Sequence, residues 1–244
     1  VQIKRNRIDC PADCSSFKEA KQDERQKYLE VNMNYNGIII FGEMGSGKDA
    51  LADFIIELES KTKKYGLGDI IRGMKPIVSI SPEWQGNERG FFQLVADKLR
   101  EIDMNILNKY ALSKMITENA QLHSVGQETK WEDIYENLRR VNENILPMIV
   151  GGRTKDDFDF WKKAGFLIVG ITATKENRYQ RLVTRDGEEV AKNSNPNHNT
   201  EKEVAMLVEK ADFIANNDGS LEDLKVKAEE ILEFFRNGRA QENI

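Results

Sequence analysis

The 244-residue chain is 39% hydrophobic and 32% charged, with a formal net charge of −5 and a pI near 5.4. Those figures fit one α/β domain large enough to bury a core, with room for a small insertion, and exclude a generally basic surface that would coat nucleic acid. No apolar run approaches the ~20 residues of a membrane-spanning helix, and no leader with a cleavage site is visible.

Residues 1–36 read as an appendage. "SSFKEAKQDERQKYLEV" is charged and helix-prone, capped by Ser15 or Ser16, and its thin apolar stripe of Phe17, Tyr28 and Leu29 fits a solvated helix. The same segment holds both cysteines, Cys10 and Cys14. No second Cys or His pair has matching spacing, so they read as idle thiols of a reducing cytoplasm.

The domain proper is expected over 37–244. Gly37-Ile38-Ile39-Ile40-Phe41 has the continuous apolar character of a strand buried on both faces. After a glycine-rich turn, Leu51, Phe54, Ile55 and Leu58 mark one face of a helix, with Glu57 and Lys61 as an i,i+4 pair on its wet side. A second helix fits "ERGFFQLVADKLREI", with Phe92, Val95, Ala96 and Leu99 inward, and "ALSKMITEN" and "WEDIYENLRRV" are further helical stretches.

"ILPMIV" reads as a strand in which Pro147 must sit at the beginning or unpaired. "FLIVGI" is a buried strand and "NRYQRLVTR" a helix. "NSNPNHNT" is a loop leading into a capping box of Thr200 and Glu203. "DFIA" is a short last strand, and a final helix starts near Ser220 with Leu221, Leu224, Ala228, Ile231 and Phe235 on one face. Strands alternating with helices call for a parallel sheet covered on both sides by right-handed crossovers.

The chemistry concentrates in Gly42-Glu43-Met44-Gly45-Ser46-Gly47-Lys48-Asp49, a G-x-x-x-x-G-K followed by aspartate. Glycines let the backbone curl so that successive N–H groups converge on phosphate oxygens. The following helix offers its free N–H groups and positive dipole end to the same anion, and Lys48 adds a mobile charge for the β- and γ-phosphates. The hydroxyl that commonly follows the lysine ligates Mg²⁺. Asp49 in its place is either a hard-oxygen ligand for Mg²⁺ or a cap on the helix start.

Further along, Arg178, Arg181 and Arg185 fall at i, i+3 and i+7, while Tyr179, Leu182 and Val183 face the other way and can pack. With no acidic partner in that stripe, Arg181 and Arg185 suit a polyphosphate, and Arg178 reads as a solvated cation.

"GSGKDALADF" resembles the phosphate loop of phage-type deoxynucleoside monophosphate kinases, within the nucleotide monophosphate kinase and dephospho-CoA kinase superfamily. The resemblance runs from about residue 37 to 236. It implies a P-loop kinase fold: a parallel central sheet, helices on both faces and a small helical lid and acceptor insertion.

"GLGDIIRGM" is similar to the family segment that brings an arginine to the acceptor's phosphate, implying Arg72 as ligand with Asp69 beside the acceptor. "VGGRTKDDFDFW" implies Arg153 as a second acceptor-side arginine, and "KLREID" resembles an acceptor-site segment, with Arg100 either at the acceptor or in a surface ion pair. "RYQRLVTRDGE" resembles the lid helix, placing a lid at about 178–200. "DFIANNDGSLEDL" implies Asn216, Asn217 and Gly219 around the ATP adenine.

Two departures stand out. The family strand often ends in an aspartate that organises Mg²⁺, where this chain has Val150-Gly151-Gly152; Asp49 replaces it in part, or Asp156 or Asp157 reaches back. Ala50 stands where relatives often keep threonine. In the covering loop "SPEWQGNERG", Trp84 either stacks on a base or packs within the loop.

The expectation is a cytoplasmic, ATP- and Mg²⁺-dependent kinase acting on a small nucleotide acceptor, compatible with a homodimer and with no membrane or nucleic-acid partner. A hydroxyl kinase on dephospho-CoA or on a modified base in DNA, with Asp69 as base, is the nearest alternative. A nucleotide-binding protein without catalysis is the third.

Overall fold

A computed structural model describes residues 35–119, 131–188 and 199–240. The expected N-terminal helix, both cysteines and part of the expected lid lie outside them.

Five parallel strands form one sheet in the order β2-β3-β1-β4-β5. β1 (Gly37–Gly42) is central and every residue of it is buried, because β3 and β4 flank its edges and helices cover both faces. Its side chains alternate between two cores. Ile39 and Phe41 join one with Trp161, Met115 and Leu138; Ile38 and Ile40 join the other with Leu51, Ile55, Ala228 and Ile231. An apolar run without polar alternation is the signature of such a doubly covered strand.

α1 (Lys48–Leu58) follows the glycine turn and β2 (Thr62–Gly66) follows α1. α2 (Asp69–Arg72), α3 (Lys75–Ile80) and a short 3₁₀ turn (Pro82–Trp84) lead into the helical insertion of α4 (Glu88–Ile102), α5 (Ile106–Asn119) and α6 (Trp131–Asn144). The chain returns through β3 (Leu146–Gly152), α7 (Lys155–Lys163), β4 (Phe166–Thr172) and α8 (Lys175–Asp186). It ends with α9 (Asn199–Val208), β5 (Phe213–Asn216) and α10 (Leu221–Ala240).

The sequence reading lacks β2, α7 and the short helices α2 and α3. β2, "TKKYG", has two adjacent lysines and too little apolar alternation to read as a strand. α7 begins at a capping box in which Thr154 accepts from Asp157 N and Asp157 accepts from Thr154 N. Pro147 sits second in β3 and precedes the β1 ladder, which starts at Ile38 opposite Met148, so its missing N–H costs that ladder nothing.

Two pairings need correction. Glu57 binds Lys225 of α10 at 2.6 Å rather than Lys61, because α1 has already ended at Leu58. α9 starts at Asn199, placing Thr200 inside the helix, and the Glu203 carboxylate accepts from Lys155 N at 2.7 Å instead.

Candidate functional site

The sheet order reverses at β1: the chain steps outward to β2, back to β3, then across to β4 and β5. In open parallel sheets ligands bind beyond the carboxyl ends of strands at such a switch point. A cleft of about 1120 Å³ lies there, walled by the 42–49 turn, the ends of β2 and β3, and α8. That exceeds the ~300–1,000 Å³ typical of a site for one small ligand.

The glycine turn is built for close backbone approach. Gly45 and Gly47 have φ of +78° and +98°. A Cβ on Gly47 would stand 2.2 Å from Asn217 Nδ2, and one on Gly45 would stand 2.6 Å from the Arg178 carbonyl oxygen. Lys48 is buried, and its ammonium donates to the carbonyls of Gly42 at 2.7 Å and Glu43 at 2.9 Å. Gly47→Ala is expected to destabilise the fold by about 2 kcal/mol through strain in a left-handed position. Urea melts check it.

Asn217 clamps the turn from β5's end: its Nδ2 donates to Ser46 O at 2.8 Å and its carbonyl accepts from Arg181 at 2.8 Å. Asn216 and Gly219 lie beside it, and none of the three lines the cleft. Asp218 accepts from Thr174 N at 2.6 Å, Asn177 Nδ2 at 3.0 Å and Asn216 Nδ2 at 3.1 Å, tying this loop to the start of α8.

Those bonds, led by the Thr174 amide, hold the Asp218 carboxyl at about 2. The folded value lies below the ordinary one of about 3.9, so its stabilisation is complete above that pH and is lost as pH falls toward 2. Melting temperature should therefore drop across that window, and Asp218→Asn should flatten the drop.

Asp49 is the second residue of α1, and Gly47 takes the cap position without a side-chain bond. The Asp49 carboxylate is 70% exposed in the cleft and bonds Lys64 Nζ of β2 at 3.0 Å. Partial desolvation would raise its carboxyl; the Lys64 hydrogen bond and the charges of Lys64, Lys48 and Arg72 outweigh that and hold it below the ordinary value. No group of three metal-ligating side chains occurs among the described residues. Mg²⁺ in phosphate sites needs only one or two carboxylates with phosphate oxygens and water, so an ionised Asp49 beside the cradle fits that ion. Asp157 does not reach back toward it: the carboxylate is fully buried and accepts from Arg153 N at 2.9 Å, Thr154 N at 3.1 Å and Asn108 Nδ2 at 2.9 Å. Asp156 does not line the cleft either.

On the opposite wall, Asp69 Oδ1 accepts from Arg72 Nη1 at 2.7 Å and its Oδ2 accepts from Gly66 N at 2.9 Å. Arg153 follows a bulge: Ile40 pairs with Val150 and Phe41 with Gly152, leaving Gly151 as the extra residue at φ +102°. Bulges re-aim the side chains that follow them. Lys48, Lys64, Arg72, Arg153, Arg181 and Arg185 face Asp49, Asp69, Glu88 and Asp186 around the cleft, an excess of two cations. Arg100 is absent from it. Its guanidinium lies 3.8 Å from the buried Asp157 carboxylate, an ion pair behind the cleft wall.

The arginine face of α8 also differs from expectation. Arg178 is not a solvated cation: it is 15% exposed and pairs with Glu43 of the turn at 2.6 Å. Arg185 pairs with its neighbour Asp186 at 2.6 Å. Leu182 packs as expected but also contributes to the cleft wall. Trp84 packs edge-on against Phe91 at 5.5 Å. Lys64 was missed together with its strand; it lies sixteen residues beyond Lys48 in a stretch without apolar alternation, and only the sheet brings it beside the motif.

The central parallel sheet, the strand–turn–helix unit at its middle and the helical insertion define an α/β fold of the P-loop kinase type. No family model matches the chain, and no curated protein matches it in sequence. Among solved structures it resembles TT1252 from Thermus thermophilus, at 18% identity and TM-score 0.40 over 81% of this chain and 97% of that one. It also resembles shikimate kinase from Aquifex aeolicus, at 16% identity and TM-score 0.40 over 82% and 98%. Likeness at that level says nothing of what this chain binds. No described helix is long and apolar enough to cross a membrane.

Proposed function

We propose that this chain transfers the γ-phosphoryl group of ATP to a (deoxy)nucleoside monophosphate. The observation that carries the reading is one cleft with cations on both sides: the glycine turn with Lys48 and Arg181 on one, Arg72 and Arg153 on the other. Phosphoryl transfer depends on alignment and charge neutralisation, and two phosphate-bearing substrates require such a double set.

Lys48, Arg181 and Arg185 neutralise the donor phosphates, Arg181 turning from the Asn217 carbonyl and Arg185 from Asp186. Arg72 and Arg153 hold the acceptor phosphate in line. Asp49 is the residue that would hold Mg²⁺, which supplies further charge neutralisation at the phosphates when bound. A monophosphate acceptor is largely dianionic near neutral pH, its second pKa being about 6, and needs no strong base.

Asp69 separates this reading from the hydroxyl-kinase alternative. A hydroxyl acceptor needs a carboxylate to take its proton, and both Asp69 oxygens are already engaged, one by Arg72 and one by the Gly66 amide. Asp69 therefore acts here as the residue that aims Arg72. The partner is a small nucleotide in the cytoplasm rather than nucleic acid or a membrane.

The test is ADP release over a panel of dAMP, dGMP, dCMP and dTMP with ATP and Mg²⁺, alongside the rise in melting temperature each gives with ATP. Release with at least one is expected, and Asp69→Asn should raise that acceptor's KM more than it lowers kcat. ATP binding without release for any monophosphate would instead favour a protein that only binds nucleotide.

A further inference from the structure

Lys64 belongs to none of the motifs that point to the site. It is the third residue of β2, opposite Met148 of β3, and its stem crosses toward α1. Its ammonium stands 3.0 Å from Asp49 Oδ1 and 3.9 Å from Asp53 Oδ1, with Arg72 on the same wall of the cleft. The position lies between the two substrate sides. Asp49 lies in the first turn of the helix that follows the donor cradle, and Gly66, two residues after Lys64, carries the amide that fixes Asp69 and through it Arg72.

Stability does not account for this arrangement. The Asp49 and Asp53 side chains are 70% and 71% exposed, and ion pairs so open to water contribute little to folding. Nor is Lys64 a solvated surface lysine, since only 34% of its side chain is exposed and its head points into the cleft wall. An aspartate after the P-loop lysine and a lysine across from it form a unit: the carboxylate holds the ammonium at the border between donor and acceptor.

We propose that Lys64 is a catalytic cation for the moving phosphoryl group, held ready by Asp49; this rests on the kinase reading above. In the transfer, an oxygen of the acceptor's phosphate donates an electron pair to the γ-phosphorus. The bond from that phosphorus to the β,γ-bridging oxygen breaks, and the bridging oxygen keeps its pair and leaves on ADP. No proton moves from a dianionic acceptor. Negative charge spreads over the equatorial oxygens between the two substrates. The Lys64 ammonium donates hydrogen bonds there while Lys48 remains on the donor side.

The test compares Lys64→Met and Lys64→Arg with the unaltered protein, using ATP and whichever of the four deoxynucleoside monophosphates releases ADP fastest. Lys64→Met should lower kcat about 100-fold, the scale for removing one preorganised electrostatic group. Its ADP dissociation constant, read by calorimetry, should stay within threefold, and its melting temperature within a few degrees. Lys64→Arg should recover most of the lost kcat.

A kcat within threefold of the original in Lys64→Met would overturn the proposal. So would a loss of ADP affinity as large as the loss of kcat, which would make Lys64 part of the donor cradle. If the unaltered protein binds ATP but releases ADP with no acceptor, the kinase reading fails and this one with it. If the unaltered protein turns over and Lys64→Met does too, this one alone fails.

Discussion

With Lys48 replaced by methionine, ADP release is expected to fall about 10²- to 10³-fold, the range for losing a preorganised charge at a reacting phosphate. Methionine fills most of the lysine stem, so the apolar packing of this buried position is kept. What goes is the ammonium, which now spans the Gly42 and Glu43 carbonyls at the base of the turn. From there it can exchange those carbonyls for phosphate oxygens without leaving the loop. Each of the two carbonyls left without this donor costs about 1–3 kcal/mol where water does not replace it. ADP affinity should drop about tenfold, less than kcat, because the backbone amides of the turn remain. A Lys48→Met protein retaining a third of the original rate would remove the cradle from the mechanism.

The sequence made the middle of the fold legible and its edge illegible, for physical reasons. β1 and β4 are apolar throughout because both faces are covered, and the first and last helices carry one-sided stripes because each covers one face of the sheet. β2 is an edge strand carrying Lys63 and Lys64, so its chemistry hides its conformation. The glycine turn was readable because its residues are contiguous, and contiguity ties spacing to geometry.

The rest depends on pairings between distant segments that no spacing announces: Glu43 with Arg178, Asp49 with Lys64, Asn108 and Arg100 with Asp157. Arg178 looked solvated for that reason, as its partner lies 135 positions earlier in the loop itself. Asp157 looked like a metal-site candidate because a carboxylate near a strand end is ambiguous until its partners are seen.

Asp157→Ala, behind the cleft wall, is expected to destabilise the protein more than any change among the residues that line the cleft. The carboxylate is fully buried and holds two backbone amides, those of Arg153 and Thr154, and the Asn108 side chain. Asn108 is itself buried and accepts from Trp161 Nε1 at 2.9 Å, so the network reaches the hydrophobic core. Alanine would take the carboxylate acceptor from the Arg153 and Thr154 amides, leave Asn108 Nδ2 with Asn105 Oδ1 alone, and strip the Arg100 guanidinium, 18% exposed, of its counter-charge. Breaking one partner of such a buried pair costs about 3–5 kcal/mol, a large part of the ~5–15 kcal/mol that holds a typical domain together. Urea denaturation of the variant measures it. Arg100→Met separates the two roles open to that arginine. If Arg100 gripped the acceptor's phosphate, the acceptor KM would rise with the melting temperature unchanged. Its place against Asp157 requires the opposite: a lower melting temperature and a KM within twofold. In the double variant, the charge stranded by Asp157→Ala is removed, so the combined loss should be smaller than the sum of the single losses, as expected of directly coupled residues.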